Sequence, residues 1–405
     1  MGGKPVRRRP GLLGSRRKES SASVTDPRRR PNMSDDPLAP GEAARNALTL
    51  HELVVAARRN LDGNVWDYLV GGAETETSVK RNRQALDSVA FRPRVLTDVS
   101  KVEAGGSLLG HDLRIPVILA PIGSLQLFEE GGGATAAEAA EDFGIMNFVS
   151  SVCLPGLEGT AEASDSAKVY QLYLADDEDW MRGLIRRAVA AGYNGFCLTV
   201  DTQVYSRRER DLLKRWRPPS VGEATTRVAP LNYQARMTWD LVKRIKDEFD
   251  IPLILKGIAT AEDAGAACEH GVDVVYVSNH GGRQLDHCRG TLDTLPEVVE
   301  EVDGRTQVVV DGGFMRGTDV VKARVLGADA VGIGRLEAIA MAAGGREGVV
   351  RMLSILEHEI VTCLGLLGVT GWDELDATCL HRALPVDPPT VLGAFPFLDL
   401  DYPYL

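Results

Sequence analysis

Eight short apolar runs recur along the chain, at Val117–Ala120, Met146–Ser151, Val169–Leu174, Gly195–Asp201, Leu253–Gly257, Val274–Asn279, Gln307–Asp311 and Ala330–Gly334. They are rich in Val, Ile and Leu and lack the polar alternation of a half-solvated strand. That is how strands buried on both faces of a parallel sheet read. Helical patterns separate most of them, as at Trp180–Ala191, Thr238–Phe249, Ala261–His270 and Gly317–Leu326. An open doubly wound sheet shows the same alternation, but eight strand-then-helix units favour an α/β fold of the (β/α)8 TIM-barrel type.

The segments outside that rhythm frame it. Residues 48–60 have helical spacing behind Thr49, a good N-cap, and helical character resumes over 64–86 around Gly71-Gly72. Residues 207–237, after the fourth run, are charged, carry Pro218-Pro219 and show little periodicity. A connection that long in a compact domain is usually functional, and a lid-like loop is expected. The organisation expected is a tail at 1–47, a barrel domain at 48–383 and a Pro-rich apolar C-terminal stretch at 384–405 that packs on a surface or on a neighbouring subunit.

Charge separates the tail from the body. Residues 1–32 hold ten Lys/Arg and two Asp/Glu of chain totals of 46 and 57, which leaves 36 bases against 55 acids, a net −19, for the remainder. An acidic body is a poor binder of nucleic acid or anionic membrane. The tail lacks apolar periodicity and cannot bury enough surface to fold. It reads as a transit peptide, as a nucleic-acid-binding arm, or as an upstream extension before a start at Met33. The last is preferred, because Pro10, Pro27 and Pro31 interrupt any amphipathic helix. No secretory segment and no apolar run of membrane-spanning length stands out. The six cysteines include no C-x-x-C pair, and four lie in apolar stretches. Reduced thiols, no zinc site and a cytoplasmic location are expected.

In a barrel, catalysis sits at the C-terminal ends of the strands. The eight runs end or continue in Pro121-Ile122-Gly123, Ser150, Gln171 with Tyr173, Thr199 with Asp201, Lys256, Ser278-Asn279-His280-Gly281-Gly282-Arg283, Asp311-Gly312-Gly313 and Gly334-Arg335. A lone Lys256 could snorkel and a lone Asp201 could cap a helix. Together they bring Lys, His, Arg and Asp to one mouth. Asp311-Gly312-Gly313 and Gly334-Arg335 follow strands seven and eight, the usual phosphate position, where glycines let backbone N–H groups approach an anion and an arginine adds a fork. His280 suits proton transfer near neutral pH, and Arg283 in the same loop suits a substrate carboxylate. The other six histidines read as surface or packing residues.

The segment from Ser278 to Asp286 (SNHGGRQLD) resembles the signature of the FMN-dependent 2-hydroxy acid oxidases and dehydrogenases. Asp67-Tyr68, Phe91-Arg92-Pro93-Arg94, Gln171-Leu172-Tyr173, Leu198–Thr202, Arg207-Arg208-Glu209, Leu255-Lys256-Gly257 and Asp311-Gly312-Gly313 support it in order, over about residues 48–375. The resemblance implies oxidation of an (S)-2-hydroxy acid to the 2-keto acid with FMN as cofactor, and O2 or another acceptor taking the electrons. It implies His280 as the base and Asp201 as its orienting carboxylate. It also implies Arg208 and Arg283 as a substrate-carboxylate clamp, Tyr68 and Tyr173 as phenols on substrate oxygens, and Lys256 beside the flavin N1/O2 edge. Ser150, Gln171 and Thr199 become flavin-ring contacts, Gly313, Gly334 and Arg335 the phosphate site, and Pro121, Ile122, Gly123, Ser278, Asp311 and Gly312 further cofactor-binding residues. A homotetramer is implied as well.

Four departures stand out. Met315 occupies a position where the family usually has arginine near the phosphate, and Arg316 after it is expected to point elsewhere. Gly123 replaces the usual alanine, as in the lactate monooxygenase branch. Val152 replaces a bulky tryptophan of glycolate oxidase-like members. The 207–237 loop is shorter than in many members. A roomier pocket and a larger aliphatic or aromatic substrate are expected. Decarboxylating monooxygenation and a quinone or protein acceptor are the alternatives within catalysis. An FMN-dependent isomerase and a non-catalytic flavoprotein are the remote ones.

Overall fold

The computed structural model describes residues 44–219 and 233–398. The basic tail, Met33, part of the expected lid and the last residues lie outside the described residues.

Eight parallel strands close into one barrel. They are β1 (Val117–Leu119), β2 (Met146–Ser150), β3 (Lys168–Leu172), β4 (Gly195–Thr199), β5 (Leu253–Ile258), β6 (Val274–Val277), β7 (Gln307–Val310) and β8 (Ala330–Ile333), with β8 pairing back to β1 through Val331 and Val117. Nearly every strand residue is buried, which is why the runs read as unbroken apolar stretches. The strands stop short of the polar ends of the runs. Asp201, Asn279 and Asp311 have left the strands and form the mouth.

Three helices precede the barrel: α1 (Leu50–Asn60), α2 (Gly63–Val70) and α3 (Thr77–Asp87). Thr49 and Glu52 close a reciprocal capping box on α1. The ring helices are α4 (Gly133–Phe143), α5 (Leu157–Ala163), α6 (Glu178–Ala190), α7 (Glu209–Leu213) with α8 (Trp239–Glu248), α9 (Ala261–Glu269), α10 (Thr291–Val302), α11 (Gly317–Val325) and α12 (Arg335–Leu367). Helix α12 is long and apolar enough to cross a membrane by composition, but Gly344 and Gly345 break it and most of its apolar side chains are part of the core. Val89–Phe91 pairs antiparallel with Leu380–Arg382 and ties the C-terminal region to the end of α3. Beyond it, Phe395 is fully buried edge-on to His51 of α1, so the C-terminal stretch packs on its own chain.

The six cysteines are all free thiols. Cys153, Cys197 and Cys363 are buried, three rather than the expected four, because Cys268 on α9 is only half-buried.

Candidate active site

A cavity of about 630 Å³ opens at the C-terminal ends of the strands, between β1, β5, β7 and β8, the Gly-rich loop after β6, and the segment 202–219 after β4. Tyr173, Lys256, His280, Arg283, Asp311 and Arg335 line it, whereas Ser150, Gln171, Thr199, Asp201 and Ser278 do not.

His280 is its centre. It follows β6 in a left-handed conformation, φ 57°, inside a turn completed by Gly281 and Gly282. Non-glycine residues rarely adopt that geometry, and strain of this kind concentrates at functional sites. Asn279 supports the turn by accepting from the Gly282 amide, and its side chain is bonded reciprocally to Asn82 of α3. His280 Nδ1 lies 3.0 Å from Asp201 Oδ1, and Nε2 lies 3.3 Å from the Tyr173 hydroxyl. Burial works to raise the Asp201 pKa, but His280 and Lys256 hold it below the ordinary carboxylate value. An ionised Asp201 only accepts, so Nδ1 carries the proton and Nε2 is the free base. Burial lowers the His280 pKa, with Asp201 opposing, so the imidazole is neutral near pH 7. Burial also pushes the Tyr173 phenol well up, and it stays protonated as a donor. Gly257 permits the approach, since a Cβ there would lie 2.7 Å from Asp201 Cβ.

Lys256 on β5 is buried in a second cluster. Its Nζ lies 3.1 Å from Asp311 Oδ2 and donates to Ser278 Oγ at 2.8 Å. The Ser278 hydroxyl donates to Asp311 at 2.6 Å and accepts from the His280 amide at 3.0 Å. Burial opposes its charge, but Asp311 and Asp201 outweigh it and raise the Lys256 pKa. Asp311, which also lines the cavity, is thus turned toward Lys256 and Ser278.

Arg208 and Arg283 flank Tyr68. The guanidinium of Arg283 is 4.9 Å and that of Arg208 5.8 Å from the ring centre. Arg283 donates one Nη1 to the Tyr68 and Gly71 carbonyls, 2.7 and 2.8 Å away. Burial, then Arg208 beside it, pull the Arg283 pKa down to about 9. Among the described residues no carboxylate is bonded to either, and two such neighbouring cations form a ready site for an anion.

The expected cofactor can be tested on this donor set. Arg335 opens α12 beside the cavity and gives Nη2 to the Gly71 carbonyl at 2.9 Å, while its Nε is buried without a partner. Gly312 and Gly313 have φ of 109° and 85°, and a Cβ on Gly312 would lie 2.5 Å from Thr291 Oγ1. On the barrel side, Gln171 donates to Thr199 at 2.7 Å, and its carbonyl oxygen is buried without a partner. A cationic corner at a helix start, an unmet amide acceptor and a buried lysine fit the phosphate, the imide N–H and the electron-accepting edge of FMN. Pro121, Ile122 and Gly123 border the same space, and Ser150 Oγ lies behind Gly123, 3.9 Å from where a Cβ on it would be.

Two expectations about pocket size meet the packing. A Cβ on Gly123 would lie 2.7 Å from Val152 Cγ2, so Val152 fills the space the missing methyl leaves and Gly123 opens no volume. Met315 is buried and lines the cavity, while Arg316 pairs with Glu359 and is directed away. Sequence reasoning missed Phe128 and Trp216, which wall the cavity beside Tyr68, with ring centres 6.4 and 5.6 Å from it. Neither follows a strand, so position along the chain gave no signal. Asp286 was quoted only within a motif. It accepts from Ser78 N, Thr75 N and Thr77 N and fixes the signature loop to α3.

The model of the FMN-dependent dehydrogenase family matches residues 57–382. An L-lactate oxidase of Nostoc sp. is 36% identical over 362 residues, covering 84% of this chain and 99% of that protein. A peroxisomal (S)-2-hydroxy-acid oxidase of Oryza sativa subsp. japonica is 38% identical over 346 residues, covering 81% and 94%. The crystal structure of a mandelate oxidase with (S)-2-phenylpropionate superposes with a TM-score of 0.77 at 36% identity, covering 84% of this chain and all of that one.

Proposed function

From its membership of the FMN-dependent dehydrogenase family, we propose that the chain oxidises an (S)-2-hydroxy acid to the 2-keto acid and delivers the electrons to O2. The observation that carries this is His280, bonded to Asp201 behind it, facing the same cavity as Arg208 and Arg283. When bound, FMN supplies the two-electron acceptor for the hydride equivalent leaving the substrate C2.

The protein's own groups do the rest. Arg208 and Arg283 hold the carboxylate and so orient the C2–H bond. The Tyr173 and Tyr68 phenols hydrogen-bond the substrate oxygens. His280 Nε2 takes the hydroxyl proton, and Asp201 stabilises the imidazolium that forms. Lys256, held charged by Asp311 and Asp201, favours negative charge developing beside it. Arg335 with the Gly312-Gly313 turn would hold the phosphate, and Gln171, Thr199 and Ser150 the ring.

The aromatic wall of Tyr68, Phe128 and Trp216 supports a substrate with an aromatic or bulky aliphatic side chain. Exposed Val95, Leu96 and Leu366 supply apolar surface of the kind chains bury on association, and a cytoplasmic homotetramer completes the proposal. Aerobic turnover with product analysis tests it. Equimolar keto acid and H2O2 support the oxidase. A carboxylic acid one carbon shorter shifts the assignment to a monooxygenase, and reduction without O2 uptake to a dehydrogenase with another acceptor.

A further inference from the structure

We infer that Arg210 is a positioning residue for substrate binding, latching helix α7 so that Arg208 faces the cavity. The inference rests on the carboxylate clamp proposed above.

Helix α7 cannot hold itself in place. It has five residues, none of them buried, and so short a helix has little stability of its own. Arg208 is its N-cap and makes no side-chain capping bond. The direction of the Arg208 side chain therefore follows wherever α7 is docked.

Two cations on α7 and just after it do the docking. Arg210 makes a two-pronged pair with Glu76, Nε to Oε1 at 2.6 Å and Nη2 to Oε2 at 2.7 Å, and gives Nη1 to Asp67 at 3.2 Å. Lys214 pairs with the other Asp67 oxygen and donates to the Gly63 carbonyl at 2.6 Å. Bidentate arginine–carboxylate pairs fix orientation as well as distance. The chain before α7 is held from the same side: the Glu74 amide donates to the Arg207 carbonyl at 2.9 Å, and Ser206 Oγ donates to the Arg283 carbonyl at 2.7 Å.

The receiving segment, residues 67–76, runs from the end of α2 into the loop after it and also sets the other cations of the site. Its Tyr68 and Gly71 carbonyls accept from Arg283, and Gly71 accepts from Arg335. Glu76 is itself steadied by the Gly72 amide at 3.1 Å. One segment thus sets Arg283 and Arg335 directly and Arg208 through Arg210. Freeing Arg210 leaves Arg283 and Arg335 in place and releases only Arg208.

The test uses Arg210→Gln, Arg210→Lys and, as a control for loss of an exposed ion pair, Arg244→Gln, whose partner Glu178 lies outside the site. Calorimetric titration of the FMN-loaded protein with phenylglyoxylate, a 2-keto acid, reads binding without turnover. The expected result is a Kd about tenfold weaker for Arg210→Gln, recovery to within about threefold for Arg210→Lys, and no change for Arg244→Gln. In steady state KM rises with kcat within about twofold and flavin content unchanged. A wild-type Kd in Arg210→Gln, or a loss of kcat or flavin with KM unaltered, overturns the inference. Wild-type protein that binds the keto acid, loses affinity in Arg210→Gln and oxidises no hydroxy acid upholds the latch and refutes the oxidase.

Discussion

Asp201 meets His280 through one oxygen, Oδ1 at 3.0 Å from Nδ1, while its second oxygen is buried with no partner among the described residues. The carboxylate thus fixes one tautomer of one ring and leaves Nε2 free toward Tyr173. Because burial lowers the His280 pKa, the base form persists below pH 6.5. The sign follows: kcat/KM rises with pH through a value under 6.5 and is flat across neutrality. Asp201→Asn keeps the shape and loses the charge that stabilises the imidazolium, so kcat falls by about 10²–10⁴-fold with flavin retained. Steady-state pH profiles check both; a limb rising above pH 7 contradicts the assignment.

With Met315 in this position the phosphate corner relies on Arg335, since among the described residues Arg316 is paired with Glu359 and Arg83 with Asp319. Met315→Arg is expected to tighten FMN binding by about tenfold. Fluorescence titration of apoprotein with FMN reads this directly. Unchanged affinity shows that Arg335 and the Gly312-Gly313 turn suffice.

Trp216 and Phe128 stand on either side of Tyr68. Trp216→Ala removes one wall and is expected to raise KM for aromatic 2-hydroxy acids by about tenfold or more while lactate changes little, as loss of a stacking partner predicts. Equal effects on both substrates show that Trp216 only shapes the lid.

Glu337 is fully buried on α12, and among the described residues neither carboxylate oxygen has a well-formed hydrogen bond, the Ala120 amide nearby being bonded to the Ile333 carbonyl. Burial raises its pKa far above the usual value, with the Ala120 amide opposing. An unsatisfied buried polar group costs about 1–3 kcal/mol, so Glu337→Met is expected to stabilise the protein by roughly that amount. Thermal unfolding of the apoprotein and holoprotein checks it. A lower Tm shows that the acid has a role in the native state.

Most of the fold was legible, because strands buried on both faces write themselves as unbroken apolar runs. Their lengths were overestimated by a residue or two where Asp201, Asn279 and Asp311 leave the barrel. The chemical groups were legible because a barrel puts whatever follows its strands at one mouth. What stayed hidden depends on packing between distant segments. Val152 filling the space beside Gly123, Asp311 turning to Lys256, and Glu76 gripping Arg210 across 134 positions have no local signature.

Anaerobic mixing of the yellow holoprotein with (S)-mandelate, (S)-lactate, glycolate and long-chain (S)-2-hydroxy acids, followed near 450 nm, tests the central claim most directly. Bleaching by at least one (S)-acid in the wild type, and none in His280→Gln that still holds FMN, is the predicted result. Flavin that stays oxidised with every hydroxy acid, or a His280→Gln protein that bleaches at the wild-type rate, contradicts it.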